Sequence, residues 1–311
     1  MRDAFVAAST EIARNDRNVM LLTGDLGFGV LTEFAREFPQ QYVNVGVAEQ
    51  NMTGLATGMA LEGKTVFTYS ICNFPTLRSL EQIRNDVCYH NADVKIVSIG
   101  GGFCYGPLGM SHHATEDLAI MRAIPGLTVV APGDTVETML ATRAVYEHKG
   151  PCFLRLGRGG EPRIHTDIPA FALGKAINIF DEGTISLIAI GGILSNAVKA
   201  HKILREKGIA ASVYSLHTLR PIDRSLVEGL ARESRLIVTV EEHSISGGLG
   251  GAVAEILAEI PGGKARLVRI GLDGNFCCEV GDQTYLRGLY GLDPAAIAER
   301  IEKALRESEE A

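Results

Sequence analysis

Short runs of β-branched and other apolar residues alternate with longer amphipathic stretches from one end of the 311-residue chain to the other, and few folds accept that rhythm. VMLLTG (19–24), YVNVG (42–46), TVFTY (65–69), VKIVSIGG (94–101), LTVVAP (127–132) and PCFLRL (151–156) read as strands. They are apolar on both faces, as strands of a sheet covered on both sides are. Between them lie helical patterns such as AEQNMTGLATGMALEG, PTLRSLEQIRNDVCYHN and DTVETMLATRAVYEHKG. Most of these close on Gly, Asn or Lys, as helix C-termini tend to. Strand and helix in turn predict an α/β fold whose mainly parallel sheets are covered by helices.

From about Gly157 the rhythm breaks. LGRGGEPRIHTDIPAFALGKAINIFDEG holds Gly, Pro and charge without a sustained period, and reads as a linker with short extended pieces. The alternation then resumes, with strands at TISLIAIGG, AASVYSL, RLIVTVEE and ARLVRIG and helices between them. The expected layout is a domain over 1–160, a linker over 161–181 and a second domain over 182–311. At roughly 150 residues per domain, each is long enough to bury its own core. With 46% apolar and 22% charged residues the composition is that of a globular chain. Its formal net charge is −7, without a basic cluster, which argues against nucleic acid and anionic membranes as partners. No apolar run reaches the roughly 18 residues of a membrane span. The start, MRDAFVAASTEIARND, reads as an amphipathic helix rather than a signal peptide, so a cytoplasmic protein is expected. The six cysteines form no C-x-x-C pair and match no zinc spacing; buried, reduced thiols are expected.

In a parallel α/β sheet, ligands sit outside the carboxyl ends of the strands. Four polar features fall at such ends, all in the first domain. They are Glu49 after YVNVG, Phe74 after TVFTY, the loop GGFCYGPLGMSHHATED after VKIVSIGG, and Arg158 after PCFLRL. Glu49 stands where a helix begins, so the residue alone fits a helix-capping carboxylate as well as a functional one. In the loop, adjacent His112 and His113 seldom converge on one metal ion, and no Cys or carboxylate sits at ligand spacing. A neutral imidazole holding a substrate hydroxyl or carbonyl oxygen is the favoured role, and no metal is assigned to this chain. Arg155 and Arg158 flank the end of a strand beside Gly157, Gly159 and Gly160; guanidinium beside open backbone suits a phosphate or carboxylate, though a surface ion pair fits equally. Arg78 is expected to converge on the same anion.

GVAEQNM, EQIRNDV, SHHATEDLAIMRAIPGLTVVAPGD and TVEEHSISGGLGGAVAEIL occur in this order. Together they resemble the C-terminal half of the transketolase family, from about Leu21 to Ile301. That family takes in transketolase, 1-deoxyxylulose-5-phosphate synthase and the beta subunits of 2-oxoacid dehydrogenase decarboxylases. The resemblance implies a pyrimidine-binding domain followed by the family's smaller C-terminal domain, and thiamine diphosphate as cofactor. Glu49 resembles the glutamate that bonds the cofactor's aminopyrimidine ring, and Phe74 the aromatic residue stacked on it. His112 resembles the histidine that contacts the reacting oxygens, with His113 beside it. Arg158 and Arg78 resemble arginines that grip a sugar phosphate.

The chain departs from the family pattern in two ways. The N-terminal half, whose GDG-to-Asn motif holds the diphosphate through Mg²⁺ or Ca²⁺, has no counterpart here; Gly24-Asp25-Leu26 lacks the second glycine. Four residues before His112, where relatives carry an acidic residue, stands Leu108. The resemblance therefore implies the C-terminal subunit of a split transketolase, transferring a two-carbon ketol unit between sugar or sugar-phosphate substrates. An N-terminal partner subunit would supply diphosphate and metal binding, in a heterotetramer around a two-fold axis. The rivals are a 2-oxoacid dehydrogenase-type beta subunit, a deoxyxylulose-synthase-like enzyme, and a non-catalytic half that only binds a partner.

Overall fold

The computed structural model describes residues 1–262 and 265–309. Along the first half the elements run α1 (Arg2–Asn15), β1 (Val19–Thr23), α2 (Thr32–Glu37), β2 (Tyr42–Asn44), α3 (Glu49–Leu61), β3 (Thr65–Ile71), α4 (Asn73–Leu77) and α5 (Leu80–Gln82). A π-helical turn over Ile83–Cys88 leads to β4 (Val94–Ile99), α6 (Asp117–Ala123), β5 (Thr128–Val130), α7 (Thr135–Glu147) and β6 (Cys152–Leu156). The second half holds β7 (Ile177–Phe180), β8 (Ile185–Ile190), α8 (Leu194–Glu206), β9 (Ala211–Ser215), β10 (Thr218–Arg220), α9 (Arg224–Glu233) and β11 (Leu236–Ser244). It closes with α10 (Leu249–Glu259), β12 (Arg266–Leu272), α11 (Gln283–Leu289) and α12 (Pro294–Glu309).

Two sheets result. The first runs β10-β5-β6-β4-β3-β1-β2 and the second β12-β11-β8-β9-β7. Pairing is parallel throughout except at two edges, β10 on β5 and β7 on β9. Strands β1, β3, β4 and β6 are buried on both faces, except for half-buried Ile71 at the end of β3. One face is covered by α1 and α7: Phe5 is fully buried, its ring 5.9 Å from Phe67 and 6.1 Å from Tyr69. Burying such a side chain contributes about 2 kcal/mol. The other face carries Met52 and Ala56 of α3 and Leu118 and Met121 of α6. That core continues without a break into Ile188, Ile190, Leu249 and Val253 of the second half.

The halves are thus welded through a shared core and through β10, which leaves the second half to extend the first sheet. Its three residues are too few to show a period, and HTLRP carries no strand signal of its own. Ile177–Phe180, within the stretch read as a linker, is an edge strand of the second sheet. All six cysteines are free; Cys72, Cys152 and Cys277 are buried, while Cys278 is exposed, against the expectation of burial.

Candidate active site

After β2 the chain turns at Gly46, where φ is +75°, and enters α3, whose first residue is Glu49. The helix N-terminus favours a carboxylate there, yet this one is 3% exposed. Ser70 Oγ, near the end of β3, donates to Oε1 at 3.4 Å, and Arg78 Nη1 donates to Oε2 at 3.1 Å.

Phe74 and Arg78 come from the segment that follows β3. Residues four apart share a helix face, and the Arg78 guanidinium lies over the Phe74 ring, Cζ 4.1 Å from its centroid. Asn73, at the start of α4, donates from Nδ2 to the backbone oxygens of Ser111 (3.3 Å) and His113, tying α4 to the loop after β4.

That loop is where the glycines act. Gly100 has φ +93°, and a Cβ there would stand 2.1 Å from the Tyr105 ring, so the ring closes directly over the backbone. Tyr105 in turn lies 6.4 Å from the His112 ring, and the Arg158 guanidinium is 5.5 Å above it. His112 meets Phe74 edge-on at 5.1 Å. Partial burial, then the charges of His113 and Arg78, hold the His112 pKa below the usual histidine value, so the imidazole is neutral at pH 7. Leu108 is exposed at the loop tip, beside exposed Met110.

Glu49, Arg78, Phe74, His112, Tyr105 and Arg158 therefore form one run of contacts along the carboxyl edge of the first sheet. His113 makes none of these contacts, though it lines the cleft beside Phe74. It is 4% exposed and packs edge-on against Phe103 at 5.2 Å, and its Nδ1 finds no partner among the described residues. Arg155 is turned inward. Its Nε donates to Asp117 Oδ2 at 2.8 Å and its Nη2 to the Ala114 and Glu242 carbonyls, all buried. Arg78 is taken up by Glu49 rather than left open to a substrate anion. Asp25, of the Gly24-Asp25-Leu26 near miss, is tied to Asn44. Tyr105 and Asn73 are not among the residues the strand-end pattern singles out; an aromatic residue between Gly100–Gly102 and Gly106 was the available signal for the first.

A separate cluster of Asp134, Glu137 and His165 lies where the linker crosses α7. Asp134 accepts from the amides of Glu137, Ile164 and His165, and Glu137 from Gly133 N, Ser215 Oγ and His165 Nε2. Its carboxylate oxygens are all engaged by protein groups, so the cluster clasps linker, first sheet and second sheet together.

Residues 1–161 match the family described as transketolase, pyrimidine binding domain, and residues 174–297 match transketolase, C-terminal domain. The chain belongs to the transketolase family. A Methanocaldococcus jannaschii protein named as a transketolase C-terminal section is 39% identical over 309 residues, 98% of this chain and 96% of that one. A subunit of the apulose-4-phosphate transketolase of Phocaeicola vulgatus is 38% identical over 84% of both. Among solved structures, a split-gene transketolase described as an inactive beta4 tetramer superposes with a TM-score of 0.88 at 35% identity, covering 98% of this chain and 97% of that one. In extent this transketolase chain therefore corresponds to the family's C-terminal section, and the run of candidate residues from Glu49 to Arg158 lies within the residues matched to the pyrimidine binding domain.

Proposed function

We propose that this chain is the C-terminal subunit of a split, thiamine-diphosphate-dependent transketolase, transferring a two-carbon ketol unit between sugar or sugar-phosphate substrates. The observation that carries the reading is the run from Glu49 to Arg158 on one sheet edge. The space between the Phe74 ring and the Glu49 carboxylate already accepts a flat, cationic group that stacks and donates N–H, the Arg78 guanidinium. An aminopyrimidine has the same demands, so the residues present fit that end of the cofactor. When bound, thiamine diphosphate supplies a nucleophilic carbon and an electron sink for the cleaved C–C bond.

This chain's own residues then have separable tasks. Glu49 shares a proton with the pyrimidine ring nitrogen, inside a pocket that keeps water off its carboxylate. Phe74 fixes the plane of the ring. Neutral His112, one edge of which rests on Phe74, holds and exchanges protons with the oxygens of the reacting carbons. Arg158 supplies a fixed positive charge for the far, anionic end of a substrate. His113, facing the interior, supports the loop that carries His112.

The diphosphate and its Mg²⁺ or Ca²⁺ are assigned to an N-terminal partner subunit, in a heterotetramer around a two-fold. Exposed Val47, Leu77, Leu108 and Met110 rim the site and support a covering partner. The domain bounds proposed for this assembly are 1–160 and 182–311, with the stretch 161–181 between them lending its β7 strand to the second sheet, working in the cytoplasm, where six free cysteines stay reduced. Glu49→Gln tests the reading. In the reconstituted complex ketol transfer should fall by about 10²-fold or more, the usual contribution of a proton-transferring group. Undiminished transfer refutes it.

A further inference from the structure

We infer that Arg78 is a built-in occupant of the cofactor's aminopyrimidine seat, so that thiamine diphosphate binds by displacing it. The inference rests on the proposed roles of Glu49 and Phe74 and deepens them. Its basis is that one guanidinium makes both contacts assigned to the pyrimidine: it lies over the Phe74 ring at 4.1 Å and donates to Glu49 Oε2 at 3.1 Å. Guanidinium stacking and its N–H fork make arginine the side chain best able to imitate a protonated aminopyrimidine.

Two further features point to a movable group rather than a fixed strut. The Arg78 side chain is 48% exposed while that of Glu49 is 3% exposed, so the arginine can leave toward solvent and the carboxylate cannot. Arg78 also stands between two clefts and is the residue they share. One is lined by Val47, Glu49 and Asn51, the other by Phe74, Leu77 and Met110. With the guanidinium in place, Glu49 and Phe74 face different openings; with it withdrawn, they face one. The occupant keeps the buried carboxylate paired while the seat is free of cofactor, when an unpaired buried charge would be costly. Arrival of the cofactor exchanges one stacked N–H donor for another.

Calorimetric titration of thiamine diphosphate with Mg²⁺ into the complex with the N-terminal subunit tests this, using wild type, Arg78→Ala, Arg78→Lys, Glu49→Gln and Phe74→Ala. Displacement predicts that Arg78→Ala binds about tenfold tighter, about 1.4 kcal/mol. Arg78→Lys, which keeps the charge but loses the flat stack, should fall between Ala and wild type. Glu49→Gln and Phe74→Ala should bind more weakly. If those two weaken binding and Arg78→Ala is unchanged or weaker, the occupant role is overturned and the site reading stands. If Glu49→Gln and Phe74→Ala leave affinity unchanged, or no protein binds the cofactor, the site reading falls and the occupant role with it. Arg78→Ala should melt lower in the cofactor-free complex, because Glu49 loses its partner, while an unchanged circular dichroism spectrum establishes that the fold is intact.

Discussion

Removing Asp117 should destabilise the chain far more than removing any surface acid, because it strands a buried guanidinium. Asp117 is 2% exposed and Arg155 5%, and the two are joined at 2.8 Å. Asp117 Oδ2 also accepts from Cys72 Sγ at 3.4 Å, two residues before Phe74. Arg155 reaches on to the carbonyl of Ala114, two residues after His112, and to that of Glu242 in β11. The pair therefore sits beneath the site and joins both site loops to the second half. Breaking a buried ion pair from one side costs about 3–5 kcal/mol, because the remaining charge is left without a partner. For a chain of this size that is a fall of roughly 10 °C in melting temperature. Asp117→Ala and Arg155→Met should each show it by urea denaturation and thermal melting. In the double variant no charge is stranded, so its cost should lie well below the sum, with a coupling of about 2 kcal/mol or more. Hydrogen exchange over residues 101–116 should rise in the single variants. Strictly additive costs, or single variants within about 0.5 kcal/mol of wild type, refute the reasoning.

Two pH dependences follow from buried groups. Burial, only partly offset by the Gly250 and Leu249 amides, raises Glu241 from the usual 4.5 to about 7. A raised folded-state pKa contributes stability below the unfolded value that is lost as pH rises through the folded one. Between about pH 4.5 and 7 this side chain should therefore remove roughly 3 kcal/mol, and Glu241→Gln should flatten the urea midpoint across that window; an equally steep variant counts against it. At the linker clasp, burial lowers the His165 pKa, but the hydrogen bond and charge of Glu137 outweigh it and the net shift is upward. The stability it adds is present below about pH 6.5 and lost as pH rises through the raised value. Amide protection factors over residues 162–176, corrected for the intrinsic rise of exchange with pH, should fall on going from pH 6 to pH 8, and His165→Asn should abolish that fall while leaving the rest of the chain alone.

The alternation of strand and helix was legible because parallel strands covered on both faces must be apolar on both, and VMLLTG, TVFTY and VKIVSIGG carry that mark over five or more residues. β10 carries none: its place is set by the antiparallel ladder to β5, where Thr218 pairs Val130 and Arg220 pairs Val129. Three residues joined to a partner nearly ninety positions away leave nothing local to read. The grouping of the candidate residues was legible to the same degree. Strand-end residues come together because a parallel sheet brings all its carboxyl ends to one edge, whatever their separation in the chain. Where each side chain turns was not, since that depends on neighbours contributed by other loops. Arg155 and Arg158 are three residues apart, yet one is drawn inward by Asp117 and the other stays exposed over Tyr105.

Arg78 shows where the limit lies. Its position four residues after Phe74 on a helical segment is a local fact, and a guanidinium over the ring follows from it. That the same guanidinium also meets Glu49 is not local, because Glu49 reaches this point from β2 and α3 while Arg78 reaches it from β3 and α4. A charge search along the chain sees a free arginine at a strand end and assigns it an anion. The fold offers it a nearer anion, the protein's own buried carboxylate. Free arginines at the mouth of a site that also holds a buried acid should be assigned to that acid first, and to a substrate only after something has taken the acid away.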